Sequence, residues 1–204
     1  MTEPSRTVEV ERKYDADPDT PLPLWDGIPG VLTVSSGEER ALDARYFDTG
    51  DFALARAGMA LRRRTGGHDA GWHLKGPRRG DGRVEWGWPL GDEEVLPPGL
   101  AEEVSRWTAD PVVPIARVEN ARTAYYLSGP DGVVAEFVDD RVHATDLLRG
   151  TRREWREWEM ELGAAAPTDL MGRVVFFSAV DRAVHAAGGR PASSASKLGR
   201  ALGL

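Results

Sequence analysis

The 204-residue sequence contains no cysteine. That excludes disulfides, a thiolate metal site and a thiol nucleophile, and it fits a reducing compartment. Histidine is scarce too, with four scattered along the chain, so a metal site built here is expected to use oxygen ligands. No apolar run approaches the length needed to span a bilayer. The opening MTEPSRT lacks the apolar segment of a secretory signal, and a cytoplasmic location is expected. Basic residues are not in excess: 26 lysines and arginines stand against 33 acids, for a formal net charge of −7. Non-specific binding to nucleic acid is therefore not expected, and no membrane association is indicated. An anionic small ligand stays open, because cations gathered in one cleft matter more than the total.

Glycine and proline, by contrast, punctuate the chain often, in DGIPG, RTGG, KGPRRGDG, LPPG, LSGPDG and LLRG. Short segments of alternating polarity lie between them, the pattern of an antiparallel, hairpin-connected sheet or barrel. Helical signals are fewer. DTGDFALARAGM predicts a short helix capped by Thr49 or Asp51 and ended near Gly58. PPGLAEEVSRWT predicts an amphipathic helix carrying Leu100, Val104 and Trp107. TDLMGRVVFFSAVDRAVHAAGG is the clearest helix, with a Thr168 cap and a Gly188-Gly189 stop. The expected organisation is a disordered leader over 1–7, one domain over 8–189 and a tail or linker over 190–204.

Charge alternation carries the chemistry. In VEVERKYD, Val8 and Val10 share one face while Glu9, Glu11 and Lys13 share the other. Alone, that is the solvated face of an edge strand. The pattern recurs, however. Arg62 and Arg64 alternate with Leu61 and Arg63, and His73 and Lys75 with Trp72 and Leu74. Arg83 and Glu85 oppose Val84, Trp86 and Trp88, and Glu157, Glu159 and Glu161 oppose Trp158, Met160 and Leu162. Glu136 and Asp140 share a parity with Val134 and Val138, a less clean strand. TRREWREWEMEL fits a helix equally well, with Trp155, Trp158 and Leu162 at helical spacing. Large aromatics on the faces opposite the charges point to helices packed outside the sheet. The charged faces would then converge inside a closed barrel. Such an interior is too costly without a highly charged ligand, and a polyphosphate with a divalent metal is one.

In this order and spacing, the motifs resemble the CYTH domain, the triphosphate tunnel metalloenzyme fold. Glu9-Val-Glu11-Arg-Lys13 matches its ExExK signature, and Tyr46-Phe47-Asp48-Thr49 with Leu61-Arg62-Arg63-Arg64 matches YFDT…LRxR. Trp72-His-Leu74-Lys75 resembles WxLKxP, Arg83-Val-Glu85 the RxE strand, and Glu159-Met-Glu161-Leu162 the late ExEL. Arg122-Thr-Ala-Tyr125 resembles the basic strand of the second half and residues 136–140 the acidic one. The resemblance runs from about Val8 to about Ala187.

It implies a mostly-β, α+β fold: an eight-stranded antiparallel closed barrel with flanking helices and a tunnel open at both ends. It also implies strand rather than helix for residues 157–162. The implied activity is divalent-metal-dependent hydrolysis of a triphosphate, inorganic triphosphate first. A thiamine triphosphatase, a class IV-type adenylyl cyclase and a non-catalytic polyphosphate- or nucleotide-binding module are the alternatives. Lys13, Arg62, Arg64, Lys75, Arg83, Arg117 and Arg122 would hold the phosphates. Lys13, Arg62 and Glu85 would serve catalysis. Glu9, Glu11, Glu136, Asp140, Glu159 and Glu161 would hold Mg²⁺ or Mn²⁺, Asp140 being preferred to Asp139 on its parity with Glu136. Arg152, Arg153 and Arg156 are expected in a solvated hairpin. The SSASKLGRAL tail resembles the junction that joins CYTH to a helical CHAD domain in bacterial relatives, so a CHAD-type partner is a further expectation.

Overall fold

Alternating polarity becomes strand throughout the computed structural model, which describes residues 4–91 and 95–204. The strands are β1 (Ser5–Ala16), β2 (Thr33–Val34), β3 (Glu38–Asp48), β4 (Ala60–Thr65), β5 (Gly71–Arg79), β6 (Gly82–Trp88), β7 (Val113–Gly129), β8 (Gly132–Asp146), β9 (Arg152–Leu162) and β10 (Arg190–Pro191). The helices among the described residues are α1 (Ala53–Arg56), α2 (Pro98–Ser105), α3 (Leu170–Ala187) and α4 (Lys197–Leu202). Residues 1–3 of the expected leader lie outside the described residues, and residues 5–7 already belong to β1. None of the described helices is long and apolar enough to cross a membrane.

Eight strands form a closed antiparallel barrel in the order β1-β6-β5-β4-β3-β7-β8-β9, returning to β1. Closure depends on β1. Its residues 5–10 pair with β6 and its residues 11–16 pair with β9. One strand serving two edges leaves neither edge open. The short β2 and β10 add to β7 and to the end of β1. β9 is a strand along its whole length, and its register sets Glu161 opposite Glu11 and Glu159 opposite Lys13.

Because side chains alternate across a strand, closure sorts the residues into an inner charged set and an outer apolar set. On the outside, Tyr14, Phe137, Trp158 and Met160 pack against Phe176, Phe177, Val180 and Val184 of α3. Phe176, Val180 and Val184 recur every four residues, which gives α3 its buried stripe. A second cluster joins Leu61, Trp72, Leu74 and Trp88 to Leu54 of α1 and to Leu100 and Val104 of α2. Trp107 does not join it and is 43% exposed.

The third cluster overturns the expectation of a tunnel open at both ends. Residues 190–204 do not leave the barrel. α4 packs on β7 and β8, and its Leu198, Ala201 and Leu202 seat among Ala44, Tyr46, Val118 and Val142 at one end. The apolar residues of KLGRAL thereby fill an end where the strands carry small side chains.

Three local expectations are corrected by hydrogen bonding. Asp169, not Thr168, caps α3, its carboxylate accepting from Gly172 N at 2.8 Å. Arg156 is buried rather than solvated, donating to Asp139 and to the carbonyls of Asp17, Pro18 and Thr20. The α1 turn is organised chiefly by buried Asp48, whose carboxylate accepts from the amides of Thr49 (2.7 Å), Leu54 (2.9 Å) and Ala55 (2.9 Å). Thr49 assists through Ala53 N at 2.8 Å. Phe52, at φ 60°, is held in the left-handed region by this arrangement. Asp48→Ala leaves those donors without their acceptor and is expected to lower the unfolding free energy by about 2–4 kcal/mol. Urea denaturation of the variant would measure it; a loss under about 0.5 kcal/mol would mean water replaces the carboxylate.

Candidate active site: a charged tunnel inside the barrel

The barrel encloses a cavity of about 540 Å³, the size range of small-molecule sites. Its wall is built from the inner parity of each strand. β1 contributes Glu9, Glu11 and Lys13, β4 contributes Arg62 and Arg64, and β5 contributes His73 and Lys75. Arg83 and Glu85 come from β6, Arg122 from β7, Glu136 from β8, and Glu159 and Glu161 from β9. Every one of these was singled out in the sequence.

Two expected residues fall elsewhere. Arg117 has the opposite parity to Arg122 on β7, lies outside the cavity, and pairs with Asp43 at 2.7 Å and Glu119 at 3.0 Å. Asp140 has the inner parity but sits behind the wall, fully buried. Its two oxygens accept from Arg122 Nε at 2.8 Å and Nη2 at 2.7 Å.

Several wall residues had no sequence signal, or a misread one. Arg40 enters from β3, donating to Glu38, to Glu136 at 3.1 Å and to the Tyr126 hydroxyl at 2.6 Å. Inner parity on β3 would have found it. His68 and Asp69 come from the β4–β5 turn, where Gly66 and Gly67 both have positive φ. A Cβ on Gly66 would lie 1.9 Å from the Ala41 carbonyl oxygen. Only glycine lets the turn fold back, which brings Asp69 onto the Arg64 guanidinium and His68 to 2.7 Å from Glu38. Lys197, from the tail, reaches in beside Arg122.

The charges neutralise one another unevenly along the tunnel. Towards α4, Glu159 pairs with Lys13, with Arg122 at 3.1 Å and with Lys197 at 2.8 Å. Burial alone would raise its carboxyl, but those three cations hold it well below the usual carboxylate range. Asp140 is lowered in the same way by Arg122 and Lys197. In the middle, Glu85 accepts from His73 Nδ1 at 2.7 Å and lies 3.2 Å from Lys75 Nζ and 3.4 Å from Arg62 Nη2. Burial opposes its ionisation, yet hydrogen bonds with His73 and Glu9 and the charges of Lys75 and Arg62 keep it ionised. Glu9 goes the other way. Burial, then the hydrogen bond to Glu85, push its carboxyl up to about 8 despite Lys75 at 2.6 Å. Burial, with Glu11, Glu159 and Glu136 close by, likewise pushes Glu161 up to about 7.

Buried carboxylates crowded enough to retain protons form an oxygen-rich set that a hard divalent cation relieves, so the residues present fit Mg²⁺ or Mn²⁺. Asp140, Glu157 and Glu159 form a second acidic group, offering oxygens within 4.8 Å of one another. Glu157 shares the inner parity of Glu159 and Glu161, and that parity is the signal that marks it.

The CYTH domain pattern matches residues 8–171. Across 98% of its length the chain is 40% identical to an uncharacterised protein found in two strains of Mycobacterium tuberculosis, and it spans 41% of the length of those relatives. Among solved structures, a putative adenylate cyclase from Bacillus halodurans superposes with a TM-score of 0.64 at 22% identity, over 96% of this chain and 97% of the other. A putative adenylyl cyclase from Hippeastrum, described as revealing a dominant triphosphatase activity, gives 0.54 at 18% identity, over 96% and 95%. At those identities the likeness is one of fold. The charged tunnel, the order of its motifs and the pattern match over most of the sequence agree: the chain belongs to the CYTH domain family.

Proposed function

We propose that the chain hydrolyses a triphosphate with the help of a divalent cation, that inorganic triphosphate is its substrate, and that it works in the cytoplasm. One observation carries the reading. Cations enter a single buried cavity from β1, β3, β4, β5, β6 and β7 and from α4, interleaved with carboxylates. A ligand neutralising such a wall must be charged along its whole length, which favours a bare triphosphate chain over one ending in an organic group. A pure anion-binding pocket would not need Glu9, Glu11, Glu136, Glu159 and Glu161 as well.

In this reading Lys13, Arg62, Arg64, Lys75, Arg83 and Arg122 hold the phosphoryl oxygens and stabilise the charge that develops on them. Arg64 must exchange Asp69 for phosphate, so the β4–β5 turn moves as substrate enters. Glu9, Glu11 and Glu161, with Glu136, would hold Mg²⁺ or Mn²⁺, which when bound offsets phosphate charge and lowers the pKa of attacking water. Glu85 keeps Arg62, Lys75 and His73 in position and, next to Glu9, is placed to orient water. The reaction is then an in-line displacement governed by positioning and electrostatics.

Phosphate release from inorganic triphosphate, ATP and thiamine triphosphate, each with Mg²⁺, Mn²⁺ or EDTA, tests the reading. Metal-dependent release fastest from inorganic triphosphate is expected, abolished in Glu9→Gln and reduced about 10²–10³-fold in kcat for Arg62→Ala. No release from any of them, with triphosphate still raising the melting temperature, would instead identify a binding module. Cyclisation of ATP would identify a cyclase.

The pH dependence has a definite sign. Glu9 and Glu161 hold protons up to about 8 and about 7 in the folded chain, above the ordinary carboxyl value. Their contribution to stability is complete below that ordinary value and is lost as pH rises through 7 and 8. A divalent ion must displace the same protons, so its affinity rises over that interval and levels off above it. Calorimetric titration of Mg²⁺ in buffers of different ionisation enthalpy should show proton release near pH 7, diminished in Glu161→Gln. An affinity independent of pH across the interval would remove these two carboxyls from the metal set.

A further inference from the structure

Lys197 stands where the sequence suggests only a polar linker, yet its ammonium sits among three acidic side chains. Nζ lies 2.9 Å from Asp140 Oδ2, 2.5 Å from Glu157 Oε1 and 2.8 Å from Glu159 Oε1. These are the three residues whose oxygens come within 4.8 Å of one another. Nζ lies 2.9 Å or less from one oxygen of each, so it already fills the space between those oxygens that a metal ion bound by them would need. The neighbouring charges match as well. Arg122 binds Asp140 through two nitrogens and reaches Glu159, Lys13 binds Glu159, and Trp155 Nε1 donates to Glu157 Oε2 at 2.5 Å.

The position of Lys197 is built rather than incidental. It opens α4 immediately after the Ser196 cap, whose hydroxyl accepts from Gly199 N at 3.0 Å. Arg200 anchors the helix to Asp15 at 2.5 Å, and Arg153 donates to the Ala201 carbonyl at 2.7 Å. Leu198, Ala201 and Leu202 are buried beneath it. Burial would drive the ammonium to lose its proton, but Asp140, Glu157 and Glu159 raise its pKa well above the ordinary lysine value.

We infer that Lys197 is a resident cation of the Asp140–Glu157–Glu159 group: it occupies the place of a metal ion, keeps divalent ions out, and confines them to the carboxylates nearer Glu9 and Glu161. The tail helix is therefore a working wall of the site and selects where metal binds. The inference rests on the metal-dependent reading only for the destination of the ion in the unaltered chain.

Its test needs neither triphosphate nor turnover. Mn²⁺ bound per chain is counted by electron paramagnetic resonance in the full chain, in Lys197→Met, in Lys197→Arg and in Asp140→Asn/Glu157→Gln. Lys197→Met is expected to bind one Mn²⁺ more than the unaltered chain, and Lys197→Arg the same number. Asp140→Asn/Glu157→Gln should lose none in the Lys197 background and should remove the extra ion from Lys197→Met. An unchanged count in folded Lys197→Met, or an ion lost from Asp140→Asn/Glu157→Gln, overturns the inference. Should Lys197→Met fail to fold by circular dichroism, the Asp140→Asn/Glu157→Gln count decides. An unaltered chain that binds no Mn²⁺ would sink the metal-dependent reading, whereas a gain in Lys197→Met would still support the resident cation.

Discussion

Everything in this protein follows from burying charges of both signs inside a closed sheet. Closure through the divided pairing of β1 takes Glu9, Glu11 and Lys13 out of bulk water together with their counterparts on the facing strands. An isolated ionised group in that position is prohibitive, so each must be paired, hydrogen-bonded or left holding a proton. All three solutions occur. Arg122 and Asp140 are paired, Glu85 is hydrogen-bonded into ionisation, and Glu9 keeps its proton to high pH.

The distribution of those solutions gives the tunnel a direction. At the α4 end, acids and bases saturate one another. Near the β4–β5 turn, Arg64 pairs with Asp69, a side chain that is 61% exposed and free of the barrel's register. Between them lie carboxylates with too few cations. In the proposed function, a triphosphate and a hard divalent cation would together supply what that middle section lacks, negative charge for the arginines and positive charge for the glutamates.

Stability and function draw on separate surfaces of the same strands. Outward residues such as Trp72, Trp158 and Met160 make the three apolar clusters with the helices, and the polar interior contributes little net stabilisation because desolvation offsets attraction. That division suits a fold recovered at 22% and 18% identity. Outward packing tolerates any well-fitting apolar side chain, while the inward pattern depends on charge and parity.

Much was legible without coordinates because strand parity has a period of two. Glu9, Glu11, Lys13, Lys75 and Glu85 could be assigned to the inside from alternation once closure was granted, while Arg122 and Glu161 came with the family resemblance. The same parity separates Arg117 from Arg122, puts Arg40 on the inner face of β3, and groups Glu157 with Glu159 and Glu161. Alternation could not distinguish helix from strand in TRREWREWEMEL, since Trp155, Trp158 and Leu162 fit the helical period while Trp158, Met160 and Leu162 fit the strand period; the family resemblance implies strand, and the pairing with β1 and β8 agrees. Nor could it place Asp69 or Lys197. The first depends on two left-handed glycines folding a turn back over the mouth, the second on a six-residue helix that finds its apolar seat only when the barrel end exists. The sequence by itself determined which residues face inward, because that is a local property of the strand. The tertiary structure alone decided which charges meet, because those contacts join residues as distant as Lys13 and Glu159, or Asp140 and Lys197, whose proximity no local rule encodes.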